Sequence, residues 1–154
     1  MYSKEEVKRV RLEFWEGFRK YSTPRRRKMG KNRAWMLEKT GIKAINMKFE
    51  ITNEEALAGI AVYHRDKYIE GLYYEKFESL RGILRNGFGD RLIWQPDYRS
   101  EEGRIYSYIY VEKQDVGIYR PDTWNIVYEF FFDNMMKFED IFTEYKDFVR
   151  EIEE

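Results

Sequence analysis

Apolar and polar positions alternate with a period of two from Ile42 to Thr52. Ile45, Met47, Phe49 and Ile51 fall between Ala44, Asn46, Lys48, Glu50 and Thr52. That spacing predicts a half-buried strand, apolar toward a core and polar toward water. The next run, Ala56–Arg65, is apolar nearly throughout (Leu57-Ala58-Gly59-Ile60-Ala61-Val62-Tyr63-His64) and predicts a more central strand. Asn53-Glu54-Glu55 suits a short turn, which makes the pair an antiparallel hairpin.

On either side of the hairpin the spacing changes to three and four. Ser3-x-x-Glu6 is a capping box, and Val7, Val10, Phe14, Phe18 and Tyr21, widened by Trp15, form one stripe, predicting a helix over Ser3–Tyr21. Thr23-Pro24 is expected to end it, because the residue before proline is pushed out of the helical region. Arg25–Arg33 then reads as a basic loop without periodicity, and Trp35-Met36-Leu37 as a short strand. A second helix is predicted over Lys67–Asn86, striped by Ile69, Leu72, Tyr73, Phe77, Leu80, Leu84 and Phe88 and stopped at Gly87 or Gly89. Arg91–Gln95 reads as a short strand closed by Pro96-Asp97. After a turn at Glu101-Glu102-Gly103, Arg104–Glu112 reads as a strand with Ile105, Ser107, Ile109 and Val111 on one face and Tyr106, Tyr108 and Tyr110 on the other. Gln114–Asp122 reads as a loop, with Pro121 in the first turn of a last helix running from Trp124 to Ile152 and expected to bend or break near Asn134–Lys137. The order α-β-β-α-β-β-α predicts one α+β domain: an antiparallel sheet of about four strands packed by three helices.

Composition narrows this little. The 154 residues fit a single domain, and 28 Lys and Arg balance 28 Asp and Glu, so net charge names no partner. Aromatic residues make up 18%, which argues against disorder and for a core of large rings. The absence of Cys removes disulfides, thiolate metal sites and a Cys nucleophile together. No apolar run approaches a membrane span and the first residues are charged, so the expectation is a soluble cytoplasmic protein. Charge is unevenly placed: residues 19–48 hold 11 Lys and Arg against Glu38 alone, and residues 139–154 hold seven acids against Lys146 and Arg150. Such asymmetry marks either an electrostatic footprint or two ends that attract each other.

Phe14-Trp15, the run from Phe77-x-x-Leu80 to Phe88-Gly89 followed by Leu92-Ile93-Trp94, then Arg104-Ile105 and Asp122-x-Trp124 together form a pattern. It resembles the bacterial and archaeal family catalogued as domain of unknown function 4268, over nearly the whole chain. The resemblance implies a fold more than a site, because its motifs are aromatic and apolar. Members of that family often look like the C-terminal part of longer proteins that begin with a nuclease-like module, and others stand alone; the resemblance leads us to expect the stand-alone form here. Where the pattern leads us to expect a helix glutamate shortly before Phe88-Gly89, this chain has Arg85-Asn86.

Candidate chemistry is sparse. A restriction-type nuclease needs an acid-x-Lys triplet on a strand to hold a metal and orient water. Glu6-Val7-Lys8 is a Glu-x-Lys triplet but lies in a predicted helix. His64, the only histidine, sits at a strand end on the face of Ile60 and Val62. It has no Cys or nucleophile-elbow serine to serve, and an enzyme would need a pocket joining it to a carboxylate. Asp66, Asp90, Asp97, Asp115 and Asp122 sit where Asp caps helices and makes turns. No metal, cofactor or catalytic set is therefore called.

Two features carry binding hypotheses. Arg25, Arg26, Arg27, Lys28, Lys31 and Arg33 admit three readings: contacts to phosphates, a solvated loop, or a dock for the acidic C-terminal helix. Tyr106, Tyr108 and Tyr110 read as core, as a homodimer interface, or, beside Lys48 and Asn46, as a platform on which bases stack. Family company tips the reading toward a non-catalytic module associated with nucleic acid or with a nuclease-type partner. The alternative is a protein-interaction or homodimerisation domain using the aromatic sheet face.

Overall fold

The computed structural model describes residues 2–153. The first helix, α1, covers Lys4–Lys28, and its capping box forms as read: Ser3 Oγ accepts from Glu6 N, and Glu6 Oε1 from Ser3 N. Strands β1 (Ile45–Ile51) and β2 (Glu55–Val62) pair antiparallel with Met47 opposite Ile60. The Thr52 hydroxyl closes their turn by accepting from the N–H groups of Glu54 and Glu55. Helices α2 (Lys67–Ser79) and α3 (Arg81–Phe88) lead to β3 (Ile93–Arg99) and β4 (Ile105–Gln114), and α4 (Trp124–Arg150) closes the chain. The strand order is β1-β2-β4-β3, all antiparallel, so the two apolar strands are central. This is the predicted α+β fold.

One face of the sheet carries the main core. Ile45, Met47, Ile60, Val62, Ile109 and Val111 meet the buried rings of Phe14, Phe18, Phe131, Phe138 and Phe142 from α1 and α4. Helix α4 lies against β1, β2 and β4 and also touches α1, α2 and α3.

Several boundaries differ from the sequence reading. Helix α1 runs through Pro24 to Lys28, so Arg25–Lys28 are helical. Pro24 and Lys20 are both exposed, so the carbonyl that proline leaves without a donor faces water, and Arg25 Nη1 donates to the Tyr21 carbonyl at 2.8 Å. Trp35–Leu37 is not a strand. It is a turn whose Leu37 has φ of 41°, although its carbonyl accepts from Met47 N at 2.9 Å. The helix predicted over Lys67–Asn86 is two, broken at buried Leu80, whose N–H bonds three residues back to Phe77. The α-helices thus number four rather than three. No break interrupts α4, because the apolar stripe stays in phase with the core from Val127 to Val149.

Strand β3 continues past Gln95 to Arg99. Gln95 lies opposite Tyr108 and Tyr98 opposite Tyr106, so Pro96-Asp97 insert one extra residue as a bulge, with Asp97 at φ of 56°. Proline is tolerated there because β3 is an edge strand. The bulge returns Tyr98 to the tyrosine side, where its ring lies 5.5, 5.0 and 5.7 Å from those of Tyr106, Tyr108 and Tyr110.

That second face has no helix over it, yet its rings are buried with Leu57 and Ala61. Small residues on β2 let the tyrosines lie across the sheet: Tyr108 reaches over Ala61 to donate to the Lys48 carbonyl at 2.9 Å. Gly59 permits the closest approach, since a Cβ there would stand 2.1 Å from the Ile109 carbonyl oxygen. Backbone cannot yield as a side-chain tip does, so Gly59→Ala should destabilise the domain by about 1–3 kcal/mol, read by urea denaturation.

Candidate functional site

Arg26 changes the meaning of the basic stretch. It is 2% exposed, and every arm of its guanidinium is used inside the protein. Nε donates to the Asn32 carbonyl at 2.7 Å, Nη2 to the Ala34 carbonyl at 3.1 Å, and Nη1 to Glu139 Oε1 at 2.8 Å. The group also lies 4.1 Å from the centre of the Trp35 ring. Glu139, 4% exposed, accepts from Met36 N with its other oxygen at 2.7 Å. One step along α4, Asp140 pairs with Lys31. The dock for the acidic C-terminal helix is therefore what Arg26 and Lys31 form, and buried Arg26 is not free for a ligand. Arg25 is exposed but lies over the Tyr21 ring at 3.7 Å; Arg27, Lys28 and Arg33 are exposed.

The tyrosine row is closed as well. Tyr106 donates to Glu50 Oε2 at 3.0 Å, Tyr110 to Gln95 Oε1 at 3.1 Å, and Tyr108 is fully buried. Burial raises the pKa of Tyr108 well above that of free tyrosine. Burial also raises that of Glu50, against the pull of the Tyr98 and Tyr106 hydroxyls and of Lys48. This arrangement is core without a helix cover, with Lys48 Nζ 4.9 Å from the centre of the Tyr106 ring at its margin.

What the structure assembles instead is a groove along the outer edge of β1. Its volume is about 730 Å³, and its floor is Trp15, Phe18, Trp35 and Phe49. Arg19, Arg33, Lys48 and Arg104 stand at its rim with Glu38 as the one acid among the lining residues. Arg19 pairs with Glu16, whereas Arg33, Lys48 and Arg104 have no ion-pair partner among the described residues. Arg33 and Lys48 were candidates from sequence. Arg104 and the ring floor were not, because Trp15 with Phe18, Trp35, and Phe49 lie in three separate stretches whose convergence depends on how α1 packs.

His64 lies elsewhere, in a cleft of about 830 Å³ with Lys43, Arg65, Tyr73, Arg150 and Glu153. Its Nδ1 accepts from Asp66 N at 3.0 Å and its Nε2 faces Glu153 Oε2 at 3.2 Å, while Tyr73 donates to Glu153 Oε1 at 2.7 Å. A base and a carboxylate thus meet, but the residues lining the cleft include no Ser, Thr or Asp. The other missed polar centre is Glu70, buried at the start of α2, which accepts from Ser107 Oγ at 2.9 Å and His64 N at 3.2 Å and pins α2 to the sheet. Asp66 caps α2 by accepting from Tyr68 N at 2.9 Å. No cluster of three or more metal-ligating side chains occurs among the described residues, and no helix there is long and apolar enough to cross a membrane.

The chain matches the family described as Domain of unknown function (DUF4268) over residues 10–146, and it belongs to that family. No curated protein and no solved structure matches it.

Two measurements probe these centres. Glu139→Ala strands a buried guanidinium and should lower stability by about 3–5 kcal/mol, while Asp140→Ala, at the surface, should cost under about 1 kcal/mol in the same denaturation assay. Because the folded state holds the Glu50 proton more tightly than the unfolded chain, stability should fall as pH rises from 4.5 through the folded pKa. Denaturation at a series of pH values should show that slope in the native chain and not in Glu50→Gln.

Proposed function

We propose that this domain is a non-catalytic interaction module whose docking surface is the β1 groove. The observation that carries this is the groove itself, in which an apolar ring floor, unneutralised cations and a strand edge adjoin. Apolar floors supply affinity and sparse charges at the rim supply orientation. The aromatic interaction surface expected from sequence is thereby shifted from the sheet face, whose tyrosine rings bury one another, to the sheet edge. Extended protein segments are the ligand class that such an edge accommodates.

A second reading keeps nucleic acid as the ligand, and Arg33, Lys48 and Arg104 favour it, since clustered cations beside rings suit a single-stranded backbone and its bases. Less supports it than in the linear sequence, because Arg26 is committed internally, Lys31 is paired with Asp140 at the surface, and Trp35 already has Phe18 stacked at 5.9 Å and Arg26 at 4.1 Å.

The test is selection from a random peptide library, followed by chemical-shift mapping of the selected peptides, alongside titration with short single- and double-stranded DNA and RNA at two salt concentrations. Selected peptides should perturb Trp15, Trp35 and Phe49, and Arg33→Glu with Lys48→Glu should weaken them about tenfold. Steep salt-dependent binding of nucleic acid with no peptide selected would replace the first reading by the second.

A further inference from the structure

The two edges of the sheet are built differently. On β3, Pro96 removes a donor and the bulge at Asp97 breaks the ladder, both common ways to keep a strand from pairing further. Strand β1 has neither: its pairing with β2 is regular from Ile45 to Ile51.

The direction in which β1 points its backbone groups is fixed by three bonds. Tyr63 N donates to the Ala44 carbonyl and Thr52 N to the Glu55 carbonyl, so even-numbered positions of this strand bond inward to β2. Met47 N leaves the sheet and donates to the Leu37 carbonyl, so odd-numbered positions point outward. Phe49 is the next outward position. Its N–H and carbonyl have no hydrogen-bond partner among the described residues, and Phe49 lines the groove. The loop around Leu37 therefore supplies one rung of a fifth strand and then turns away, leaving the next rung open.

Resting on the proposed docking role of this groove, we propose that its occupant is a short extended segment of another protein that adds antiparallel to β1 and takes both backbone bonds of Phe49. Antiparallel addition matches every other pair in the sheet and needs only the one open residue. A second copy of this chain pairing symmetrically about Phe49 would bring its Ile51 opposite Met47, where Leu37 already sits. That excludes the symmetric dimer centred on Phe49.

The register also specifies side chains. The segment residue opposite Phe49 points to the same side as that ring, toward Trp15, Phe18 and Trp35, and is apolar. Its C-terminal neighbour stands opposite Lys48 on the side of Arg104 and is acidic. Its N-terminal neighbour stands opposite Glu50 and is basic or neutral. Read from the N-terminus, the segment is therefore basic-apolar-acidic.

The probe is acetyl-Val-Lys-Val-Glu-amide, which ends opposite Lys48 and so stops short of Leu37, titrated into the full chain by calorimetry and by chemical-shift mapping. It should bind, shift the Phe49 amide, and lose about tenfold in affinity when the second Val is N-methylated, which removes the donor to the Phe49 carbonyl. The reversed peptide, acetyl-Glu-Val-Lys-Val-amide, has the same composition and should bind at least as weakly as the methylated one. Binding in the groove that is indifferent to methylation or to reversal would overturn strand addition while leaving the groove as a docking surface. Shifts confined to residues outside the groove would overturn both, as would a groove that takes single-stranded nucleic acid and neither peptide. Lys48→Glu keeps the fold's backbone pairing, so its loss of probe binding with unchanged denaturation would place the acid beside Lys48.

Discussion

A guanidinium withdrawn from water holds the walls of the groove in place. Arg26 joins the end of α1 to the carbonyls of Asn32 and Ala34 and to Glu139 on α4, and Glu139 in turn holds the N–H of Met36. The end of α1, the loop that follows it and distant α4 are thus fixed by one pair of opposite charges. A buried ion pair is a weak source of net stability, because desolvation offsets most of the attraction, but it is demanding in geometry once formed. That demand explains how α1 persists through a proline that disfavours helix by about 3 kcal/mol. The turn after it must deliver Arg26 inward, and the cation–ring contact with Trp35 then sets one wall of the floor.

The fold was legible because its signals were periodic. The alternation through Ile45–Ile51 and the three-four spacing of Val127–Val149 each left one arrangement that buries the apolar positions. What was misread involved local rules overridden by packing. Pro24 ends helices in isolation, but here its unpaired carbonyl faces water and the next turn is anchored. Pro96-Asp97 reads as a strand end, yet a bulge lets the strand resume and re-aims Tyr98. Leu80 fits the stripe of one long helix and instead buries itself at the break between two.

The site was much less legible. Alternation placed Tyr106, Tyr108 and Tyr110 on one face but could not say that Tyr98 from beyond a bulge would lie over all three. A run of cations looks the same in sequence whether its members are solvated or paired, and Arg26 differs from Arg25 and Arg27 only in which side of α1 it occupies. The ring floor draws on Trp15, Trp35 and Phe49, which no spacing rule connects. Only the paired excess of acid in α4 against base in the 19–48 stretch carried the signal, through the idea that the two ends attract.

The asymmetry of the sheet edges has a consequence for valency. A sheet with two plain edges can be extended without limit, each added strand offering a fresh edge to the next, which is the route to fibrils. Here Pro96 and the bulge at Asp97 blunt one side, so growth is possible from β1 alone, and there Leu37 shortens the run of open backbone. Under the proposed strand addition the domain acts as a monovalent cap, accepting one short strand and passing nothing on.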